Sequence, residues 1–260
     1  RPCSSEAGRQ RISIRRRRAT VSSISSGVVL RAMRPSRNEP YNTRWLTRSG
    51  CRTAYVTADG PPRVSGHTTY RSVIPTEQMP EDLRWNAATL WAGPKCHIVH
   101  YPLSGWKVFN LVVTYHNDAP EPVAGKPVSE EEVLKGFGHI HERAQSIISH
   151  GKNWRLWVLC DRDPAERWID GRVVLLGDAA HPMLQYFAQG ACQAMEDAVC
   201  LSNMLANHDD HATALEAYRA QRFPRTARVQ LMSRAIGEHI YHPAGEHARL
   251  RNAIMGAKSQ

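Results

Sequence analysis

Apolar residues recur in four short segments that follow residue 62, and these segments predict β-strands. The segments are rich in β-branched and aromatic residues, and they span residues 68–75, 86–91, 96–103 and 106–115. Short turn signals, Gly93-Pro94 and Ser104-Gly105, separate the later segments. Strands joined by turns this short predict an antiparallel sheet, which needs a covering layer.

Helical signals follow the predicted strands. Ser129 with Glu132 three residues later has the form of a capping box and predicts a helix start. A second helix is predicted over residues 140–149, and a strand over residues 154–160. Residues 213–240 predict a long helix that is interrupted or kinked at Pro224. The mixture predicts an α+β fold.

The first 61 residues differ from the rest because they show no sustained period. They contain the run Arg15 to Arg18, a serine-rich patch and few aromatic residues. Three interpretations stay open: a segment that binds nucleic acid or an anionic surface, a disordered tail, or the product of a GC-rich gene read out of frame. We favour the third. The predicted units are therefore residues 1–61, a sheet domain over 62–160 and a helical part over 161–260.

Charge follows the same division. The net charge is +10, and residues 1–60 account for all of it, with 13 Arg, no Lys and three acidic residues. The remainder is balanced, so we expect no nucleic-acid partner. No apolar stretch approaches the roughly 18 residues of a membrane span. The first residues are rich in Arg and Ser and lack an apolar h-region and a cleavage site, so we expect no secretory signal. The six cysteines form no CxxC pair, which predicts a reducing, cytoplasmic location.

The most informative segment is GRVVLLGDAAHPMLQYFAQGACQAMEDAVCLSNML, residues 171–205. Its aliphatic run, Val173 to Leu176, ends in Gly177-Asp178 and predicts a buried parallel strand that enters a turn. Gly190 then begins a helix with apolar residues at helical spacing. Free N–H groups at a helix start attract negative charge, and a carboxylate accepts hydrogen bonds from hydroxyls. The arrangement is typical of a site for a polar cofactor.

GDAAHP, AQGA and ED-A at this spacing resemble the second flavin fingerprint of the single-component aromatic hydroxylases related to p-hydroxybenzoate hydroxylase. The resemblance covers roughly residues 62–255. It implies a partial p-hydroxybenzoate hydroxylase-like FAD-binding fold with an antiparallel-sheet substrate domain. It also implies FAD, a transient NADH or NADPH, and dioxygen. The cofactor-binding residues that it implies are Gly177, Asp178, Ala179, His181, Pro182, Gly190 and Ala191.

Two departures from the family pattern concern the other half of the flavin site. The family's strand–GxGxxG–helix unit, which binds the ADP part of FAD, does not occur in these 260 residues. Asp59-Gly60 matches only the first two residues of a further family motif, in which a Ser and an Arg follow the Asp-Gly pair. We therefore expect the FAD-binding half at the N-terminus to be missing or frameshifted, and the activity to be impaired.

Strand alternation in CHIVHYPL places His97 and Tyr101 on one face and His100 on the other. An aromatic ring is attacked faster when its hydroxyl group is ionised to a phenolate, so a base with a near-neutral pKa is expected beside that hydroxyl group. Together with Gln185, which stands where many family members have Pro, the segment looks most like the 3-hydroxybenzoate 6-hydroxylase branch, which makes gentisate. The resemblance implies that His97, Tyr101 and Gln185 are catalytic. The alternatives are a solvated or core histidine and a glutamine that only bonds the backbone.

The partners implied are a small aromatic acid and dioxygen, and a homodimer stays open. Rival functions are a salicylate-hydroxylase-like enzyme, a catalytically inactive fragment and an Arg-rich nucleic-acid-binding protein. Paired histidines such as His139 with His141 lack Cys or Glu partners at ligand spacing, so we expect no metal.

Overall fold

A computed structural model describes residues 29–31, 56–57 and 60–257. Its main feature is a six-stranded antiparallel sheet. The strands of this sheet are β2 (Arg63–Pro75), β3 (Thr89–Gly93), β4 (Cys96–Leu103), β5 (Val108–His116), β6 (Ala124–Pro127) and β7 (Arg155–Asp161). Their order across the sheet is β3-β4-β5-β2-β7-β6. A long central strand, β2, pairs with β5 on one side and with β7 on the other.

Two short helices cover one face of this sheet, α1 (Glu130–Leu134) and α2 (Glu142–Ser149). As the capping box predicts, Ser129 accepts a hydrogen bond from the N–H of Glu132 at the start of α1. The helices and the sheet enclose a buried apolar core. Its members include Tyr70, Ile74, Ile98, Phe109, Leu111, Val113, Val133, Phe137, Ile147 and Ile148. The alternation in β4 therefore sends Cys96 and Ile98 into this core.

A second group of elements surrounds the segment with the flavin-like motif. It consists of the strands β1 (Val29–Arg31), β8 (Ile169–Asp170) and β9 (Val173–Leu175), and of the helices α3 (Gly190–Asn207), α4 (His211–Ile236) and α5 (Gly245–Ala257). Its core includes Trp168, Leu175, Leu201, Leu215 and Tyr218, and Val56 packs among them.

The sequence predicts parallel pairing for the strand over residues 173–176, and within the described residues this prediction is wrong. β9 pairs antiparallel with β8 on one side and with β1 on the other. The reason is local, because Gly171 adopts a positive φ of 56° and folds β8 and β9 into a tight hairpin. An apolar run alone does not distinguish the two kinds of pairing.

Several further elements differ in their bounds from the sequence prediction, and two of them have an identifiable local cause or consequence. The strand expected from Trp106 begins only at Val108, because Ser104, Gly105 and Trp106 all adopt positive φ in the preceding turn. The long helix α4 continues through Pro224 and ends at Ile236, where the π-helical turn Gly237–Tyr241 follows. Asp210 caps α4 by accepting the N–H of Thr213.

In the part of the chain that the structure describes, no helix is long and apolar enough to cross a membrane. Within the same residues, no group of three or more potential ligands is arranged to hold a metal ion. Four cysteines there are free thiols: Cys96, Cys160, Cys192 and Cys200.

Candidate active site

The turn after β9 depends on a glycine for two reasons. Gly177 has a φ of 60°, which L side chains rarely adopt. A Cβ at this position would also lie 3.2 Å from the Cβ of Ala194 on α3. Because only glycine satisfies both requirements, the strand end approaches α3 closely and Asp178 comes to lie beside the helix start.

The start of α3 is open to a ligand. No side chain caps it, so the first N–H groups, including those of Gly190 and Ala191, lack a capping acceptor. The exposed Asp178 stands next to them, and a Cβ on Gly190 would lie 3.7 Å from the Asp178 Oδ1. Hydrogen-bond donors and an acidic acceptor therefore lie side by side at the start of α3.

A buried ionic cluster fixes this turn. Asp197 of α3 accepts the N–H of Gly177 at 2.8 Å, pairs with His181 Nε2 at 2.6 Å and accepts Arg222 Nε at 2.7 Å. Burial by itself would raise the pKa of Asp197, but the bonds from His181, Gly177 and Arg222 outweigh it and hold the pKa below its ordinary value. The turn, α3 and α4 are thus joined through one carboxylate.

Arg222 extends the cluster along α3. Its guanidinium also bonds the Gln193 Oε1 at 2.7 Å and the Glu196 carboxylate at 2.5 Å. Arg225 pairs with the same Glu196 carboxylate at 2.6 Å. The bonds from Arg225 and Arg222 lower the pKa of Glu196 to about 2, against a smaller opposing effect of burial. The Glu-Asp pair in the sequence motif signalled this cluster, but its arginine partners lie on another helix.

The other residues of the predicted cofactor set line the turn or support it. His181 is fully buried, packs against Trp168 and bonds Asp197, so its side chain holds the turn in place. The backbone oxygen of Pro182 accepts the Gln230 side chain at 3.2 Å, and Ala179 is buried in the second core.

The loop between this turn and α3 binds the uncovered face of the sheet. Gln185 Nε2 donates to the hydroxyls of Thr69 at 2.9 Å and Thr114 at 3.1 Å, and its Oε1 accepts Arg71 at 3.0 Å. The adjacent Tyr186 bonds His67 Nδ1 through its hydroxyl. The backbone-only alternative for Gln185 is therefore wrong, because its amide bonds three side chains.

His97 lies in the same row of the sheet. It pairs with Thr114, which pairs in turn with Thr69, so Gln185 sits one strand away from His97. The His97 side chain is only 2% exposed. Burial, followed by the neighbouring His242 and His67, lowers its pKa well below the ordinary value, so the imidazole is neutral at pH 7.

Tyr101 shares this sheet face but lies further along β4. It pairs with Asn110, and four residues of strand correspond to about 13 Å between it and His97. Its side chain is partly exposed. The structure thus brings His97 and Gln185 together, while Tyr101 borders the far end of the same face.

Sequence reasoning missed three aromatic neighbours of His97 and a fourth ring beside them. Tyr186, Tyr241 and His242 have ring centroids 4.7 to 5.6 Å from the His97 ring. His67 lies 5.1 Å from His242 by the same measure. Only Tyr186, next to Gln185 in the motif, carried a local signal; the others come from distant parts of the chain.

The family profile described as "FAD binding domain" matches residues 72–233, which is more than half of the chain. The chain belongs to this FAD-binding family. The match confirms the resemblance drawn from the flavin-like motif, and the helix-covered antiparallel sheet confirms the α+β fold class.

Two relatives carry the comparison further. The chain is 59% identical over 201 residues to 3-hydroxybenzoate 6-hydroxylase 1 of Aquipseudomonas alcaligenes, covering 77% of this chain and 51% of the relative. It is 48% identical to 3-hydroxybenzoate 6-hydroxylase of Klebsiella oxytoca, covering 76% and 50%. The chain thus spans about half the length of the curated relatives it matches.

A solved structure described as a salicylate hydroxylase substrate complex is similar in fold. It superposes with a TM-score of 0.65 at 27% identity, and the match covers 77% of this chain and 54% of that one. The fold neighbourhood therefore agrees with the family.

The residues at the start of α3 fit one part of FAD. Asp178 offers acceptors to hydroxyl groups, and the uncapped N–H groups of Gly190 and Ala191 offer donors to carbonyl or anionic groups. Gly190 leaves open the space beside the Asp178 carboxylate that a side chain would fill. A glycine-rich cradle for the pyrophosphate does not occur in the sequence.

Proposed function

We propose that this chain carries the substrate-binding and flavin-facing part of an FAD-dependent monooxygenase that converts 3-hydroxybenzoate to gentisate. The observation that carries the proposal is the 59% identity to 3-hydroxybenzoate 6-hydroxylase 1 over 201 residues. That region includes the polar sheet face (Thr69, His97 and Thr114) and the flavin turn (residues 177–182). When bound, FAD reduced by NADH or NADPH supplies, with dioxygen, the oxygen atom that enters the ring.

The chain's own residues then have distinct roles. Asp178 and the N–H groups of Gly190 and Ala191 bind the cofactor, and the Asp197 cluster holds the turn that presents them. The loop of Gln185 closes the polar sheet face against this turn, which excludes water from the reacting ring. Support for this role comes from the three side-chain hydrogen bonds of Gln185.

His97 is the candidate base. It is buried and neutral on the closed face, so it is able to accept the proton of the substrate hydroxyl group. For Tyr101, which pairs with Asn110 further along β4, we infer that it holds the opposite end of the substrate or shares its hydrogen bond. The pKa of His97 is lowered by burial, which departs from the near-neutral base that the sequence predicts and makes the imidazole a weaker proton acceptor.

A second candidate function follows from the share of its relatives that the chain covers. Because the chain lacks a GxGxxG motif and spans about half of its relatives, we propose that it binds FAD weakly by itself. Such a chain is catalytically inactive unless the missing part is supplied. The salicylate-hydroxylase-like alternative rests on fold similarity at 27% identity and has less support.

The test uses a completed enzyme, in which residues 62–260 are joined to the N-terminal half of 3-hydroxybenzoate 6-hydroxylase 1. We expect the chain alone to remain colourless after gel filtration with FAD, and the completed enzyme to retain flavin absorption. The completed enzyme should form gentisate from 3-hydroxybenzoate. A product from salicylate in its place would favour the alternative.

Asp178→Ala in the completed enzyme tests the cofactor site. Loss of a hydrogen bond to a charged group should weaken FAD binding by about 1.5–3 kcal/mol. Asp170→Ala, in the hairpin that precedes the turn, is the matched control and should leave the Kd unchanged. Fluorescence titration measures both, and tight FAD binding by the chain alone would contradict the proposed deficiency.

A further inference from the structure

The C-terminal end of α4 changes geometry where it meets the polar sheet face. The π-helical turn Gly237–Tyr241 lies beyond the residues that match the family profile, which end at residue 233. A Cβ on Gly237 would lie 2.5 Å from Tyr186 Cδ2, so the turn packs with no room for a side chain against the loop of Gln185 and Tyr186, the flavin-side loop. Single π-helical turns inside helices are frequent at functional sites.

The turn places His242 beside His97, the candidate base. His242 Nε2 lies 2.8 Å from His97 Nδ1, which is hydrogen-bond distance. The His242 backbone is held from two sides, because its N–H donates to the Gly237 oxygen and its oxygen accepts the N–H of Lys95. Tyr241 packs edge-on against His97, with ring centroids 4.7 Å apart. The contact joins residues that are 145 positions apart in sequence.

Both rings of the pair are neutral near pH 7. Burial lowers the pKa of His242 to about 3, and the positive charges that His67 and His116 would carry act in the same direction. Burial also lowers the pKa of His97, with further contributions from His242 and His67. A hydrogen bond between two neutral imidazoles contains one proton, so one ring donates and the other accepts. The identity of the donor decides which His97 nitrogen is free.

We propose that His242 is a positioning residue that accepts a hydrogen bond from the Nδ1–H of His97 and thereby leaves His97 Nε2 unprotonated. The inference rests on the proposed function, in which His97 takes the proton of the substrate hydroxyl group. A base needs a free lone pair, and a bond made by one ring nitrogen sets the protonation of the other. The C-terminal turn thus becomes part of the substrate site.

The test is the protonation state of the His97 ring in the full chain, read from its ring nitrogen chemical shifts by NMR. His97→Gln identifies the His97 signals by their loss. At pH 7 the unmodified chain should show His97 mainly as the Nδ1–H form. His242→Phe keeps a ring but removes the acceptor, so His97 should shift to mainly the Nε2–H form. His242→Gln restores an acceptor oxygen, and the Nδ1–H form should return.

His239→Phe is the matched control, because His239 belongs to the same π-helical turn and is exposed. It should leave the His97 signals unchanged. An Nε2–H form of His97 in the unmodified chain would overturn the proposal, since His242 would then be the donor. An unchanged Nδ1–H form in His242→Phe would overturn it as well, because another group would fix the ring.

A failure of the proposed function is distinguishable from a failure of this inference. The NMR experiment needs neither FAD nor turnover, whereas the proposed function requires gentisate from the completed enzyme. An Nδ1–H form that depends on His242 supports the positioning role even if the completed enzyme makes a different product. A different product would contradict only the assigned substrate and not the role of His242.

Discussion

The two faces of the main sheet are equally buried at its centre but are built from different chemistry. On the helix-covered face, Ile98, Leu111 and Val113 are fully buried and apolar. On the other face, Thr69, Thr114 and His97 are at most 2% exposed and polar. Apolar burial is favourable without partners, whereas buried polar groups need hydrogen bonds. Those partners come from the flavin-side loop and the C-terminal turn, which is how one sheet provides both a core and a site.

The largest effect is expected from the buried carboxylate that fixes the flavin turn. Asp197→Ala removes the buried carboxylate that Gly177, His181 and Arg222 share, and breaking a buried pair in this way costs about 3–5 kcal/mol. Asp163→Ala is the control, because Asp163 is an exposed partner of Arg234, and such pairs contribute at most about 1 kcal/mol. Urea unfolding measures both, and equal losses would show that the cluster does not hold the turn.

The same carboxylate predicts a pH dependence. The pKa of Asp197 is lower in the folded chain than in the unfolded chain, where it is about 3.9. Its contribution to the free energy of unfolding is therefore complete above the unfolded pKa and is lost as the pH falls through the folded pKa. The stability difference between the unmodified chain and Asp197→Ala should be full at pH 7 and should shrink below about pH 4.

Neighbouring residues of β4 allow a direct comparison of the two faces. Ile98→Ala removes a fully buried side chain from the core and should cost about 2–5 kcal/mol of unfolding free energy. Val99→Ala, on the partly exposed opposite side, should cost under about 1.5 kcal/mol. Urea unfolding of both variants decides it; a larger loss from Val99→Ala would mean that the face assignment is wrong.

The sequence predicted this division of faces because it is local. Alternation in CHIVHYPL is sufficient to place Ile98 and His97 on opposite sides. The glycine after the apolar strand and the helix that starts at Gly190 were also readable, since each depends on a few adjacent residues. The parallel pairing of β9 was predicted wrongly, because pairing depends on the hairpin at Gly171 and not on the apolar run.

The parts of the site that the sequence did not predict are contacts between residues far apart in the chain. His97 meets His242 across 145 residues, and Asp197 meets Arg222 across two helices. No periodicity encodes such pairs. The hydrogen bonds of the Gln185 side chain could not be predicted from the sequence either, although a glutamine where many family members have Pro marked the residue as a candidate. The domain limits, a homodimer and a cytoplasmic location remain predictions.

A smaller effect is expected where the flavin-side loop contacts the sheet. Thr114→Val removes one of the two hydroxyls that accept the Gln185 amide and also the bond between Thr114 and Thr69. A buried polar group left without a partner costs about 1–3 kcal/mol, and Gln185 keeps its Thr69 bond, so the loss should be near the low end. Thr89→Val, on the edge strand β3, is the control in thermal unfolding. A loss no larger than that of the control would indicate that Gln185 does not anchor the loop.

The central claim is that the polar face of the sheet is the substrate site and that His97 is its base. The most direct measurement is gentisate formed per NADH or NADPH consumed by the completed enzyme, for His97→Ala and His100→Ala. His100 lies on the opposite face, buried against Trp91, so the folding of this control is verified by circular dichroism. We predict that His97→Ala slows hydroxylation by about 10²-fold or more and loses coupling, that Tyr101→Phe shows a milder form of the same loss, and that His100→Ala stays coupled. Equal coupling in the His97 and His100 variants would contradict the claim.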